Sequence, residues 1–149
     1  MSLPRPRPLA RPASLLACLG AVGVAGCGGS SSSFTSQADS ICKSYNAKIT
    51  ALGQPSSASG IPGYLDQVTP LIQQGTTKLA ALTPPSGKTT QFQQWIATLQ
   101  QEVSITQRAQ AAAHSGGINQ AAAIIQQNSS LNSQGKTQAK GLGLTECAK

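Results

Sequence analysis

The chain has 149 residues, enough for one domain, and 10% of them are charged, with a formal net charge of +7. From Lys43 onward its eight lysines and arginines are dispersed, so the sequence lacks the basic stripe that is typical of nucleic-acid binding. One histidine and four carboxylates are too few for the convergent side chains that metal or acid–base catalysis needs. We therefore expect a non-enzymatic protein with no cofactor, no metal site and no catalytic residue.

The N-terminal segment is typical of an export signal. Its first 11 residues carry three arginines and no acid, and residues 13–25 form an apolar stretch that is too short to span a bilayer. The stretch ends in Val24-Ala25-Gly26-Cys27, which is an aliphatic residue, two small residues and a cysteine. This motif resembles the lipobox of bacterial lipoproteins.

The resemblance to a lipobox implies that residues 1–26 are a signal peptide and that Cys27 is lipidated. The thiol would carry a diacylglyceryl group, and acyl chains such as palmitate would hold the protein on the outer face of the cell membrane. Two alternatives stay open. One is a second motif that ends at Cys18, close behind Arg11, and the other is an ordinary secretory signal with a chance cysteine.

A Gly/Ser run follows the lipobox and is typical of flexible coil. We therefore expect residues 27–34 to be the lipidated cysteine and a tether. Without the signal peptide the net charge falls to +4, which is a mild bias and requires no anionic partner.

From Phe34 onward the apolar residues recur at helical spacing, and no segment alternates like a strand. The first helix is predicted from about Ser36 to Leu52. Asp39 stands at the capping-box position, three residues after Ser36, where it would serve the helix N-terminus. The Gly/Ser/Pro-rich residues 53–60 then end the helix.

The second helix is predicted to begin near Pro62, because proline is favoured at a first helical position. Pro70 falls inside it and should kink or divide it. After the break at residues 83–87, the apolar spacing from Phe92 to Ala113 predicts a third helix of about 25 residues.

Residues 115–117 predict a turn, and a fourth helix should run from about Ile118 to Ala139 or Lys140. Its middle is polar, so we expect it to be the most loosely packed helix. The segment Gly141-Leu142-Gly143-Leu144 is the predicted helix stop, with its apolar residues folding back.

These elements predict an all-α domain over residues 35–149. Four helices with short connections favour an up-down-up-down four-helix bundle, and the alternative is a three-helix bundle with a frayed fourth segment. Small alanine-rich faces would let the helices pack closely while burying little apolar area.

Most of the chain after the signal resembles the small uncharacterised lipoproteins of actinobacteria. The matching segments are ADSICK at 38–43, LAALTPP at 79–85, Trp95, and LGLTECA at 142–148. The resemblance implies a helical exported domain with two paired cysteines, and it implies no substrate or catalytic residue.

The paired cysteines would be Cys42 and Cys147, because Cys18 falls in the signal and Cys27 takes the lipid. An up-down-up-down bundle also brings the start of its first helix and the end of its fourth to the same end. The alternative is two buried free thiols.

Other polar and aromatic residues have ordinary structural interpretations. His114 should serve the exposed carbonyls at the end of the third helix, Glu102 should be solvated, and Trp95 should lie in the core. Gly-Lys-Thr at 87–89 lacks the other features of a phosphate-binding loop and should begin a helix.

The predicted role is structural or partner-binding in the cell envelope. Abundant glutamines on the third and fourth helices suit contact with an envelope protein or a glycan. The alternative is a carrier that binds a small apolar ligand between helices, and a dry groove lined by Trp95 and Ile72 would favour it. An enzyme would need His114 next to Glu102 or Asp66.

Overall fold

The computed structural model describes residues 29–149, which contain four α-helices and no strand. The helices are α1 (Gly29–Ala51), α2 (Ile61–Ala80), α3 (Thr89–His114) and α4 (Ile118–Leu142). One 3-10 turn, Ala58–Gly60, leads directly into α2. Helices that are consecutive in the chain pack against each other, which confirms the all-α, up-down-up-down bundle.

Helix α1 begins at Gly29, seven residues before the expected start at Ser36. The expected tether at residues 27–34 is therefore helical from Gly29 onward. Side chains stabilise this first part, since the Thr35 hydroxyl donates to the carbonyl of Ser31 and the Gln37 amide donates to the Ser33 hydroxyl. Phe34 also packs its ring edge-on against that of Phe92, with the centroids 5.5 Å apart, which holds this turn on the bundle.

The expected division of α2 at Pro70 does not occur, because α2 is one continuous helix around it. Pro70 itself is exposed, so its ring causes no conflict with a neighbouring helix. The predicted turn at residues 115–117 is confirmed. Gly116 takes a φ of 84°, and the N–H of Gly117 donates to the carbonyl of Ala112, which closes the end of α3.

Helix α4 runs to Leu142, beyond the expected last residue Lys140, and its C-cap Gly143 lies within the predicted stop at residues 141–144. Gly143 has a φ of 83° and donates to the carbonyl of Lys140, while the N–H of Leu144 donates to that of Ala139. These two bonds form a Schellman motif, in which the left-handed glycine turns the chain back. Leu144 then enters the core, with 1% of its surface exposed.

The expectation that α4 is the loosest helix is wrong, because the contact between α3 and α4 is the most extensive in the bundle. Small residues on α4, among them Ala121, Gly135 and Ala139, are buried and allow α3 to approach closely. Helix α1 is the loosest, since it packs mainly on α2 and makes few contacts with α4.

The core consists of two separate clusters at opposite ends of the bundle. The cluster at the Cys42 end is built around Phe34, Phe92, Trp95, Leu142 and Leu144. The cluster at the far end is built around Leu65, Val68, Ala112, Ala121 and Ile124. The middle of the bundle lies between these two clusters.

Candidate functional site

A cavity of about 500 Å³ occupies the middle of the bundle. All four helices and the C-terminal tail contribute to its wall, with Tyr45 from α1, Ile72 from α2, Trp95 from α3, Gly135 from α4 and Cys147 from the tail. It opens where α1 and α4 make few contacts, so the loose packing of α1 and the polar middle of α4 together produce it.

Two buried glycines shape this cavity. A Cβ on Gly75 would lie 3.2 Å from the ring of Tyr45, and a Cβ on Gly135 would lie 3.2 Å from Oε1 of Glu102. Both distances are tight, so larger residues at these positions would displace the aromatic ring or the carboxyl group. The two glycines thereby allow Tyr45 and Glu102 to occupy their places in the wall.

The wall is mostly apolar. Trp95, 1% exposed, is a core residue as predicted and only borders the cavity, whose accessible apolar surface comes from the partly exposed Ile49, Leu71, Ile72 and Leu99. A dry groove lined by Trp95 and Ile72 would favour a carrier of apolar ligands, and this cavity has both residues in its wall together with the charged Glu102 and Lys136. Such a wall binds apolar groups of a ligand by removing their surface from water.

Glu102 is the acidic residue of the wall, and it is half-buried where the sequence predicts a solvated side chain. It follows Trp95 by seven residues and Leu99 by three, so helical spacing places it on the inner face of α3. Burial raises the pKa of its carboxyl from 4.5 to about 7, and the nearby ammonium of Lys136 offsets part of that rise. Among residues 29–149 its carboxyl has no ion pair or hydrogen bond.

Lys136 of α4 is the basic residue of the helical wall, and Lys149 adds a second ammonium from the tail. Sequence reasoning missed Lys136 and Tyr45 as candidate site residues. Gly75 and Gly135 carried the available signal, because a glycine inside a helix lowers its stability and usually marks close packing or a site.

One end of the cavity is closed by Cys42 and Cys147, whose sulfur atoms lie 2.07 Å apart with a Cα separation of 5.1 Å. The structure thus places the two cysteines at disulfide distance, as predicted. Their covalent link fixes the C-terminal tail to α1 beside the cavity.

Asp39 holds the same tail and does not cap α1, which begins ten residues earlier at Gly29. Its carboxylate accepts hydrogen bonds from the backbone N–H groups of Thr145 at 3.1 Å, Glu146 at 2.9 Å and Cys147 at 3.4 Å. The Thr145 hydroxyl adds another at 2.9 Å. Partial burial acts to raise the pKa of Asp39, but these bonds outweigh it and lower the pKa below 3.8.

His114 lies at the end of α3 as expected, yet its partner is Asp66 of α2 and not the helix carbonyls. The imidazole Nε2 is 2.7 Å from the Asp66 carboxylate, which also accepts a bond from Gln110, and these two bonds lower the pKa of Asp66. Both members of the pair are about half exposed on the surface, away from the cavity. An enzyme would need a cleft that brings these two residues together, and neither His114 nor Asp66 lines the cavity described above.

The remaining candidate residues have simple positions. Lys88 directly precedes α3, so the Gly-Lys-Thr segment begins a helix as predicted. The Lys88 ammonium also donates a hydrogen bond to the carbonyl of Gly141 at 3.0 Å. Cys18, Cys27 and the signal segment lie outside the described residues. Within residues 29–149, no helix is long and apolar enough to cross a membrane, and no group of acidic, histidine or cysteine side chains is arranged to hold a metal.

No family model matches the chain, and comparison with curated proteins and with solved structures gave no significant match.

Proposed function

We propose that this protein is a lipid-anchored carrier that binds one small, largely apolar molecule between its helices, outside the membrane. The observation that carries the proposal is the cavity of about 500 Å³ with Trp95 and Ile72 in its wall. Its volume lies within the range of about 300 to 1,000 Å³ that is typical of small-molecule sites. A mostly apolar wall with a few polar groups is also the usual composition of such sites.

The location rests on the sequence. The lipobox at Cys27 supports a lipid anchor, and the disulfide between Cys42 and Cys147 is compatible with an exported protein, because disulfides persist outside the cytosol. A cavity lowers the stability of a helical bundle, because side chains would otherwise fill and stabilise its middle. A protein with a purely structural role gains nothing from this loss of stability, so a binding role is better supported.

The binding test uses Trp95 as a reporter, because it is the only tryptophan in the sequence and it borders the cavity. Titration of the purified protein with dodecanol, a neutral amphiphile, should change the tryptophan fluorescence saturably. Asn132→Phe places a ring at the mouth of the cavity and should weaken binding at least about tenfold.

Ser133→Phe is the matched control, because Ser133 is the exposed neighbour on α4 and does not line the cavity. This variant should bind dodecanol as the native protein does. No saturable signal in the native protein, or equal binding by both phenylalanine variants, would contradict the proposal.

A further inference from the structure

The polar groups of the cavity define which amphiphile fits it, and the inference that follows rests on the proposed carrier function. Glu102 of α3 and Lys136 of α4 line the cavity from neighbouring helices, together with the partly exposed apolar surface of Ile72 and Leu99. We propose that the ligand is a long-chain carboxylate, with its head between Lys136 and Glu102 and its alkyl chain along that apolar surface.

Two lysines line the cavity, and two more lie near its residue Tyr45. Helix α4 contributes Lys136 and the tail contributes Lys149, and both line the cavity. From α1 and α2, the ammonium groups of Lys48 and Lys78 lie 4.7 and 5.6 Å from the ring centre of the cavity residue Tyr45. The Lys149 ammonium pairs with Glu146, which leaves the Lys136 ammonium as the cation without an ion-pair partner among the described lining residues. An anionic head therefore matches the charge of this cavity.

Glu102 supports the same head when its carboxyl is protonated, because a neutral carboxyl donates a hydrogen bond to a carboxylate. Its burial in the wall favours this neutral form, with a pKa of about 7. At slightly acidic pH the site thus offers one ammonium and one hydroxyl donor to a carboxylate. At alkaline pH the ionised Glu102 repels it.

Ligands with other heads fit less well. An ammonium head would be attracted by ionised Glu102, but it would meet the like charge of Lys136 in the same wall. A hydroxyl head would leave the Lys136 ammonium without a counter-charge, so it gains only the apolar contacts and one hydrogen bond.

The first test compares three amphiphiles of equal chain length by Trp95 fluorescence at about pH 6, which lies below the raised pKa of Glu102. Dodecanoate should bind at least about tenfold more tightly than dodecanol or dodecyltrimethylammonium. Equal binding of all three, or tightest binding of the cation, would overturn the head-group inference and leave the carrier function standing. Failure of all three to bind would overturn both.

The second test separates the two polar residues. Lys136→Met should weaken dodecanoate binding about tenfold more than it weakens dodecanol binding, whereas the control Lys140→Met, on the exposed surface of α4, should change neither. Raising the pH from about 6 to about 8.5 should weaken dodecanoate binding about tenfold in the native protein, and Glu102→Gln should abolish this dependence. A pH dependence that persists in Glu102→Gln, or equal losses for both ligands in Lys136→Met, would contradict the assignment.

Discussion

Two carboxyl groups of this chain show how the surroundings of an acidic side chain determine its pKa. Asp39 meets four hydrogen-bond donors from the tail, and its pKa falls, whereas Glu102 is buried in an apolar wall, and its pKa rises to about 7. The helical spacing after Trp95 places Glu102 on the inner face, so its position follows from the sequence. The role of Asp39 does not, because its donors lie more than 100 residues away.

Asp39→Asn should destabilise the protein by about 1 to 2 kcal/mol, because a neutral amide replaces a charged acceptor of several hydrogen bonds. The effect should be measured by urea unfolding at neutral pH. The folded state lowers the pKa of Asp39, so the ionised carboxylate stabilises the fold above pH 3.8. This stabilisation is lost as the pH falls through the lowered pKa. Asp66→Asn is the control. Its carboxylate is exposed, so a loss as large as that of Asp39→Asn would contradict this assignment.

Glu102→Gln should stabilise the protein at about pH 8 by about 1 to 2 kcal/mol, allowing for partial screening by solvent. The folded state raises the pKa of Glu102 from 4.5 to about 7, so the native protein loses stability as the pH rises between these values. Below pH 4.5 the Glu102 carboxyl is neutral in both the folded and the unfolded state, and the stability of the variant should match that of the native protein. Urea unfolding across this pH range measures the difference in the free energy of unfolding between the variant and the native protein. A difference that does not grow with pH would show that the Glu102 carboxyl does not cause it.

The helices show which element boundaries a sequence can determine. The interiors of α2, α3 and α4 follow their apolar spacing, and proline and glycine mark the breaks between them. The start of α1 was not predictable, because its Gly/Ser composition favours coil and its helical form depends on Phe34 packing against Phe92. Gly141 and Gly143 were equally plausible ends of α4, and only the tertiary position of Leu144 selects Gly143.

This pair of glycines gives a test at the level of the element. Gly143→Ala should destabilise the protein by about 1 kcal/mol, because its φ of 83° is unfavourable for a residue with a Cβ. Gly141→Ala should stabilise it by about 0.5 to 1 kcal/mol, because Gly141 is helical and a Cβ there meets nothing within 4 Å. Thermal unfolding of the two variants measures both effects. Effects of the same sign would contradict the assigned end of α4.

At the scale of the whole molecule, two end clusters and one covalent link hold a bundle whose middle is open. The disulfide joins residues 105 apart in sequence, and closing such a loop contributes about 4 to 5 kcal/mol on the chain-entropy model. This restraint lies beside the cavity, so the bundle keeps its fold without filling its middle with side chains. The bundle itself was predictable from apolar periodicity, whereas the cavity depends on how far α1 stands from α4, which no local pattern encodes.

Native mass spectrometry of the mature protein, extracted from its own membranes, tests the proposed carrier most directly. We expect a chain that begins at an acylated Cys27 and carries one additional small molecule bound without a covalent link. That molecule should be absent or strongly reduced in Asn132→Phe and retained in Ser133→Phe. An acylated protein that never carries a second molecule, or one that carries it equally in both variants, would contradict a ligand-binding role for the cavity.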